Sequence, residues 1–216
     1  MSDLDWGHSL ANVRKAYRVV AAYQQRVQAM MKIAGREFEP LEFADWMATD
    51  HGMPPPRNKN PMWNWVWDLL PMNCCSVLLN LEGKRIWDIK TGECLVFCVY
   101  MSDTAFWEAR QAHPRVSPDP DRLAPAEEAT TCFRMMAFQW LADDRTVNCI
   151  NDFWNARHPE NIGLTPKTSA DGRWQVMFVE ADLANLETEE AFTTHVRTFR
   201  DHVNTAFQLD KPLGAA

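Results

Sequence analysis

Glycine is scarce in this 216-residue chain: there are eight copies, and none forms the G-x-x-x-x-G-K-[ST] or G-x-G-x-x-G arrangement whose backbone N–H groups cradle phosphate. The common classes of nucleotide-dependent enzyme are disfavoured accordingly. A G-x-S-x-G elbow, which would expose an activated serine, is also missing. The six cysteines contain no C-x-x-C pair and the six histidines no i, i+4 pair, so spacing argues for no metal site and no cofactor. The cysteines lie inside apolar runs and are expected as buried thiols. No uncharged apolar stretch approaches the roughly 18–20 residues of a membrane helix, and Cys94 to Met101 suits a buried strand instead. The early acids and missing apolar run of MSDLDWGHSL do not resemble a signal peptide. A cytoplasmic, bacterial-type protein with no membrane contact is expected.

What is present is globular: 46% hydrophobic and 24% charged residues, with ten Trp, eleven Phe and eleven Met but only three Tyr. The length suits one domain over 1–216, with a helical segment at 9–70 and a sheet-containing body at 72–210. The net charge of −7 is unevenly spread. Residues 8–36 contain six cations and no acid, so the remainder carries −7 − 6 = −13.

Those cations sit in the clearest element. Ser9 can cap a helix ending near Gly35, along which Val13, Ala16, Tyr17, Val20, Tyr23, Val27, Met30, Met31 and Ala34 form one apolar stripe. At 100° per residue, Arg14, Lys15, Arg18, Arg26, Lys32 and Arg36 fall on the opposite side. Pro40 and the Phe43, Trp46, Met47 spacing predict a short second helix. After the triple proline 54–56, Asn60-Pro61 and Pro71 bracket a further short helix carrying Trp63, Trp65 and Trp67.

From residue 72 the pattern turns to strands: Cys75–Leu81, Lys84–Lys90 and Glu93–Met101, joined by Glu82-Gly83 and Thr91-Gly92 turns. A helix is predicted at Thr104–Ala112, a proline-rich loop at 113–125, and a helical stripe at Ala129, Cys132, Phe133, Met136, Ala137, Trp140 and Leu141. A further helix is expected around Arg145–Arg157, loop or weak strand at 160–172, and a strand at Arg173–Glu180. A final helix is expected at Thr188–Phe207, with a loose tail after Pro212. The fold class is therefore α+β. A central, mainly antiparallel sheet of four to five strands, built from a meander at about 74–101 and a strand at about 173–180, is covered by amphipathic helices, the long ones at both ends.

Two functional readings come from different classes. The first is a non-catalytic interaction protein. Its partner-binding residues are Arg14, Lys15, Arg18, Arg26, Lys32 and Arg36 with Trp63, Trp65 and Trp67, because a cationic face attracts acids and exposed tryptophans make hot spots. An acidic protein ranks above nucleic acid as the partner, and the same surfaces suit a homodimer. The bland alternatives are a cationic face that is solvated or paired with the acidic segment 37–50, and tryptophans that serve the core. The second reading is a metal-dependent nuclease. Asp88-Ile89-Lys90 places an acid and a lysine on one face of a strand, with Asp68 and Glu93 as further ligands, a spacing that resembles the PD-(D/E)xK nuclease signature only in this tripeptide.

Overall fold

The computed structural model describes residues 6–48, 54, 56–58, 60, 62, 64, 66–70, 73–84, 89–142 and 163–214. These residues hold α1 (Trp6–Glu37), β1 (Leu41–Ala48), β2 (Cys74–Leu81), β3 (Cys94–Met101), α2 (Thr104–Ala112), β4 (Cys132–Trp140), β5 (Gly163–Thr168), β6 (Trp174–Asp182) and α3 (Glu189–Phe207). The fold is α+β, as expected, with six strands in one antiparallel sheet of order β1-β2-β3-β4-β6-β5.

The central strands β3 and β4 are buried along their whole length, so side chains of both parities meet a hydrophobic layer. One face, with Cys94, Val96 and Cys98 of β3 and Phe133, Met135 and Ala137 of β4, packs under α3 and the C-terminal half of α1. The other face carries Leu95, Phe97, Met136, Phe138, Trp140, Trp174 and Phe178, with Ile89 among its packing partners. There Arg134 is buried in an ion pair with Glu180, its cross-strand partner, and its guanidinium lies 5.1 Å from the Trp107 ring of α2.

Both shorter helices open on a side-chain cap. The Asp103 carboxylate accepts from the backbone N–H of Ala105 at 2.9 Å to open α2, and the Thr188 hydroxyl accepts from that of Ala191 at 3.1 Å to open α3. The apolar stripe of α3, Phe192, Val196, Phe199, Val203 and Phe207, is buried throughout. Its C-terminus is held from the sheet: the Gln139 amide donates to the Phe207 carbonyl at 2.9 Å, satisfying an acceptor that the helix end leaves open.

Four expectations are corrected. The segment predicted as a second helix is β1. A bulge between Phe43 and Asp45 sets Phe43 opposite Leu79 and Trp46 opposite Val77, so two same-face residues are three apart and imitate a helical step. The predicted helix at 129–141 is β4, because an apolar run buried on both faces satisfies helical spacing without being helical. Lys84, Ile89 and Lys90 lie outside any strand, and β2 pairs directly with β3 from Cys74↔Met101 to Leu79↔Val96. The tail is docked: Leu213 is buried, and its N–H donates to the Asn204 side chain at 2.8 Å. The weak strand of 160–172 is β5. Within 60–70 the described structure is a 3-10 turn at Val66–Leu69. The helix expected at 145–157 lies outside the described residues.

Candidate interaction surface

Helix α1 is longer than the body can cover. Its 32 residues span about 48 Å at ~1.5 Å each, against about 26 Å for an eight-residue strand. The C-terminal part is held, with Val27, Met30, Ile33, Ala34 and the following Phe38 all buried. Val27 packs with Cys75 and Tyr100, a cross-strand pair next to the end of the β2–β3 ladder, and the Tyr23 and Tyr100 rings lie 6.2 Å apart. Beyond this point the apolar stripe leaves the sheet. Leu10 is 50% exposed, Val13 50%, Tyr17 68%, Val19 68% and Val20 48%. The stripe is buried only from Val27, because the sheet ends there.

The six cations divide in the same way. Arg14, Lys15 and Arg18 are exposed on the projecting half. Arg26 reaches the body, donating to the Glu187 carbonyl at 2.8 Å ahead of α3. Lys32 and Arg36 are exposed near the C-terminal end of α1, where they border an open cavity of about 1530 Å³. The cavity lies between the last turns of α1, the start of β1, β2, the turn at 90–94 and the docked tail. Within the acidic segment, Glu37 is drawn to α3 and not to the α1 cations: its carboxylate accepts from Arg197 at 2.9 Å and from Arg200 at 2.8 Å.

Of the three tryptophans at 63–67, Trp67 is buried. Its ring packs 4.6 Å from Phe106, and its indole N–H donates to the Pro118 carbonyl at 2.7 Å. Trp63 and Trp65 lie outside the described residues. Sequence reading passed over Val19 as a surface group and placed Phe43 and Trp46 on a helix; on β1 they are 64% and 39% exposed. The missed signal is length: a stripe longer than any strand leaves part of itself uncovered.

The nuclease set is only partly described. Asp88 lies outside the described residues. The Glu93 carboxylate pairs with Lys84 and accepts from the Lys90 N–H at 2.8 Å, which clamps the Thr91-Gly92 turn ahead of β3. Lys90 is exposed. Asp68 accepts from the Asn64 amide at 3.2 Å, beside Trp67, whose contact with α2 puts it past the other end of β3. Among the described residues, no three His, Cys, Asp or Glu side chains are placed to hold a metal ion.

Cys74, Cys75, Cys94, Cys98 and Cys132 are free and buried, as expected; Cys149 lies outside the described residues. Burial pushes the Cys75 thiol up to about 11 and that of Cys98 to about 12, so neither is a thiolate nucleophile near neutral pH. Of the two histidines on α3, the ring of His202 bonds back to the Thr198 carbonyl at 2.7 Å, and burial lowers the His195 pKa, favouring its neutral form. No described helix is long and apolar enough to cross a membrane.

Fold and surface together define an α+β protein with one antiparallel sheet, terminal helices packed on one face, and a cationic, partly apolar helix extending past it. The chain belongs to the PM0109 family, whose model matches residues 4–209. No curated protein and no solved structure matches it.

Proposed function

We propose that this is a binding protein without catalysis of its own, which presents the projecting half of α1 to an acidic protein partner in the cytoplasm. The observation that carries this reading is the joint exposure of Arg14, Lys15 and Arg18 on a stretch with no acid from His8 to Arg36, where no opposing charge on the same helix neutralises them. Arg26 is engaged with the body, so its part is to fix the direction of α1. Lys32 and Arg36 extend the cationic surface towards the cavity. With Trp67 packed inside, the tryptophan contribution is assigned to Trp63 and Trp65. A reducing compartment suits five buried free thiols.

The test uses poly-L-glutamate as the acidic probe and a DNA duplex as the competitor class. The expected result is salt-sensitive poly-glutamate binding that the triple variant Arg14→Glu, Lys15→Glu, Arg18→Glu loses. Unchanged binding by that variant would refute the assignment, and tighter binding to the duplex would move the partner to nucleic acid. The nuclease reading has less support, because Glu93 is committed to Lys84 and a turn N–H while Asp68 sits past the other end of β3. Divalent-metal-dependent DNA cleavage that disappears in Asp88→Ala would restore it.

A further inference from the structure

The exposed apolar residues of α1 follow a stricter rule than amphipathicity. Leu10, Val13, Tyr17 and Val20 recur at alternating steps of three and four, and the series continues in phase through Gln24, Val27, Met31 and Ala34. This is the 3.5-residue repeat of a helix–helix seam. Its second half is satisfied within the chain, since Val27 and Ala34 are buried and Met31 is partly so. The first half faces solvent.

Charge placement says what covers it. The positions flanking the exposed seam on its two sides are Arg14 and Ala21, and Ala16 and Tyr23, so one cation borders it, and Ala16 and Ala21 allow two helices to approach closely. Lys15 and Arg18 point away from the seam. A second α1 can therefore lie against the first without opposing rows of like charge. An acidic partner would find its complement on the other side of the helix. Tyr17 and its apolar neighbours present on the order of 500 Å² per copy, the upper range of apolar patches on monomers and near what a small specific interface buries per partner. A seam presented identically by each copy closes under two-fold symmetry.

We infer that two copies of the chain pair through Leu10, Val13, Tyr17 and Val20 of α1, leaving Lys15 and Arg18 of both copies outward. This deepens the proposed function by doubling the surface offered to an acidic partner, but it does not depend on that function, and the primary readout of its test is the mass of the chain. The 216-residue chain is compared by sedimentation velocity over a concentration series with Val13→Glu, Tyr17→Glu and the outward-face variant Lys15→Glu, Arg18→Glu. Both seam positions are exposed, so these substitutions leave the body's own packing intact, and far-UV circular dichroism with a thermal melt verifies that. Twice the chain mass is expected for the wild type and for the outward-face variant. Each seam variant is expected at the monomer mass, with dimer affinity weakened at least tenfold. A monomeric wild type would overturn the inference, as would seam variants that keep the doubled mass. So would a seam that becomes protected only when poly-L-glutamate is added, which would hand this face to the acidic partner.

Discussion

Gly214 shows how much a single residue near the end of the chain constrains. Its φ is +71°, a region that costs an L side chain about 1 kcal/mol or more, and a Cβ there would stand 2.5 Å from Arg200 Nη1. That same nitrogen donates to Glu37 at 2.8 Å, so the clash falls on the contact joining the end of α1 to α3. Gly214→Ala is expected to destabilise the protein by about 1–3 kcal/mol in urea titration. In an Arg200→Ala background the clash is gone, and the same change should cost only the backbone penalty of about 1 kcal/mol. Equal costs in the two backgrounds would show that Arg200 is not the obstruction. The buried thiols set an alkaline limit in a comparable way. Cys75 and Cys98 stay protonated in the folded chain to about 11 and about 12, whereas the ordinary value of 9.0 applies once it unfolds. The folded state then holds more protons above pH 9, so stability contributed by burial is complete below that pH and declines as pH rises, by about 1.4 kcal/mol per unit for each thiol. Stability measured by urea between pH 8 and 11 should show this limb, and Cys98→Ala should make it shallower. An unchanged slope would mean that the Cys98 thiol titrates as freely folded as unfolded.

Single elements differ in how clearly their sequences announce them. Helix α3 was legible in full, because Phe192, Val196, Phe199, Val203 and Phe207 leave one covered face and polar residues elsewhere, a contrast only a surface helix has. Strand β4 was not. Cys132, Phe133, Met136, Ala137 and Trp140 fit a helical stripe, and two of the four residues off that stripe, Met135 and Phe138, are apolar as well. In a strand buried on both faces periodicity carries no information, so the choice needed the neighbours that only the folded sheet supplies. The distinction is measurable. A helix with that stripe would turn Phe138 away from the core, whereas in β4 it is fully buried, with its ring 5.8 Å from Phe97 and 5.7 Å from Trp174. Phe138→Ala is expected to cost about 3–5 kcal/mol, as much as Phe133→Ala on the opposite face of the same strand. A cost below about 1 kcal/mol would contradict the strand assignment. In β1 the obstacle was the bulge, which no residue type announces, since position 44 is an ordinary alanine.

At the scale of the whole molecule, the division of charge was readable as arithmetic, but the place where α1 leaves the body was not, because it depends on where the sheet ends. That boundary, between Val20 and Val27, separates two stability regimes within one helix. From Val27 to Phe38 the backbone is tied to the core, so its amides exchange with solvent only through large unfolding. From Leu10 to Val20 the chain has no core beneath it. A helix end with no core beneath it frays more readily than the anchored part, so the amides of this half are strongly protected only while something lies along it. If that cover is a second α1, dilution removes it by mass action while the body stays folded. Hydrogen exchange at high and low protein concentration is therefore expected to show amides of residues 10–22 losing protection on dilution, with amides of 28–37 unchanged. Tyr17→Glu should put the first set in its diluted state at every concentration. Protection of residues 10–22 that matches 28–37 and ignores concentration would mean that the body itself braces the projecting half, and the surface built on it would have to be abandoned.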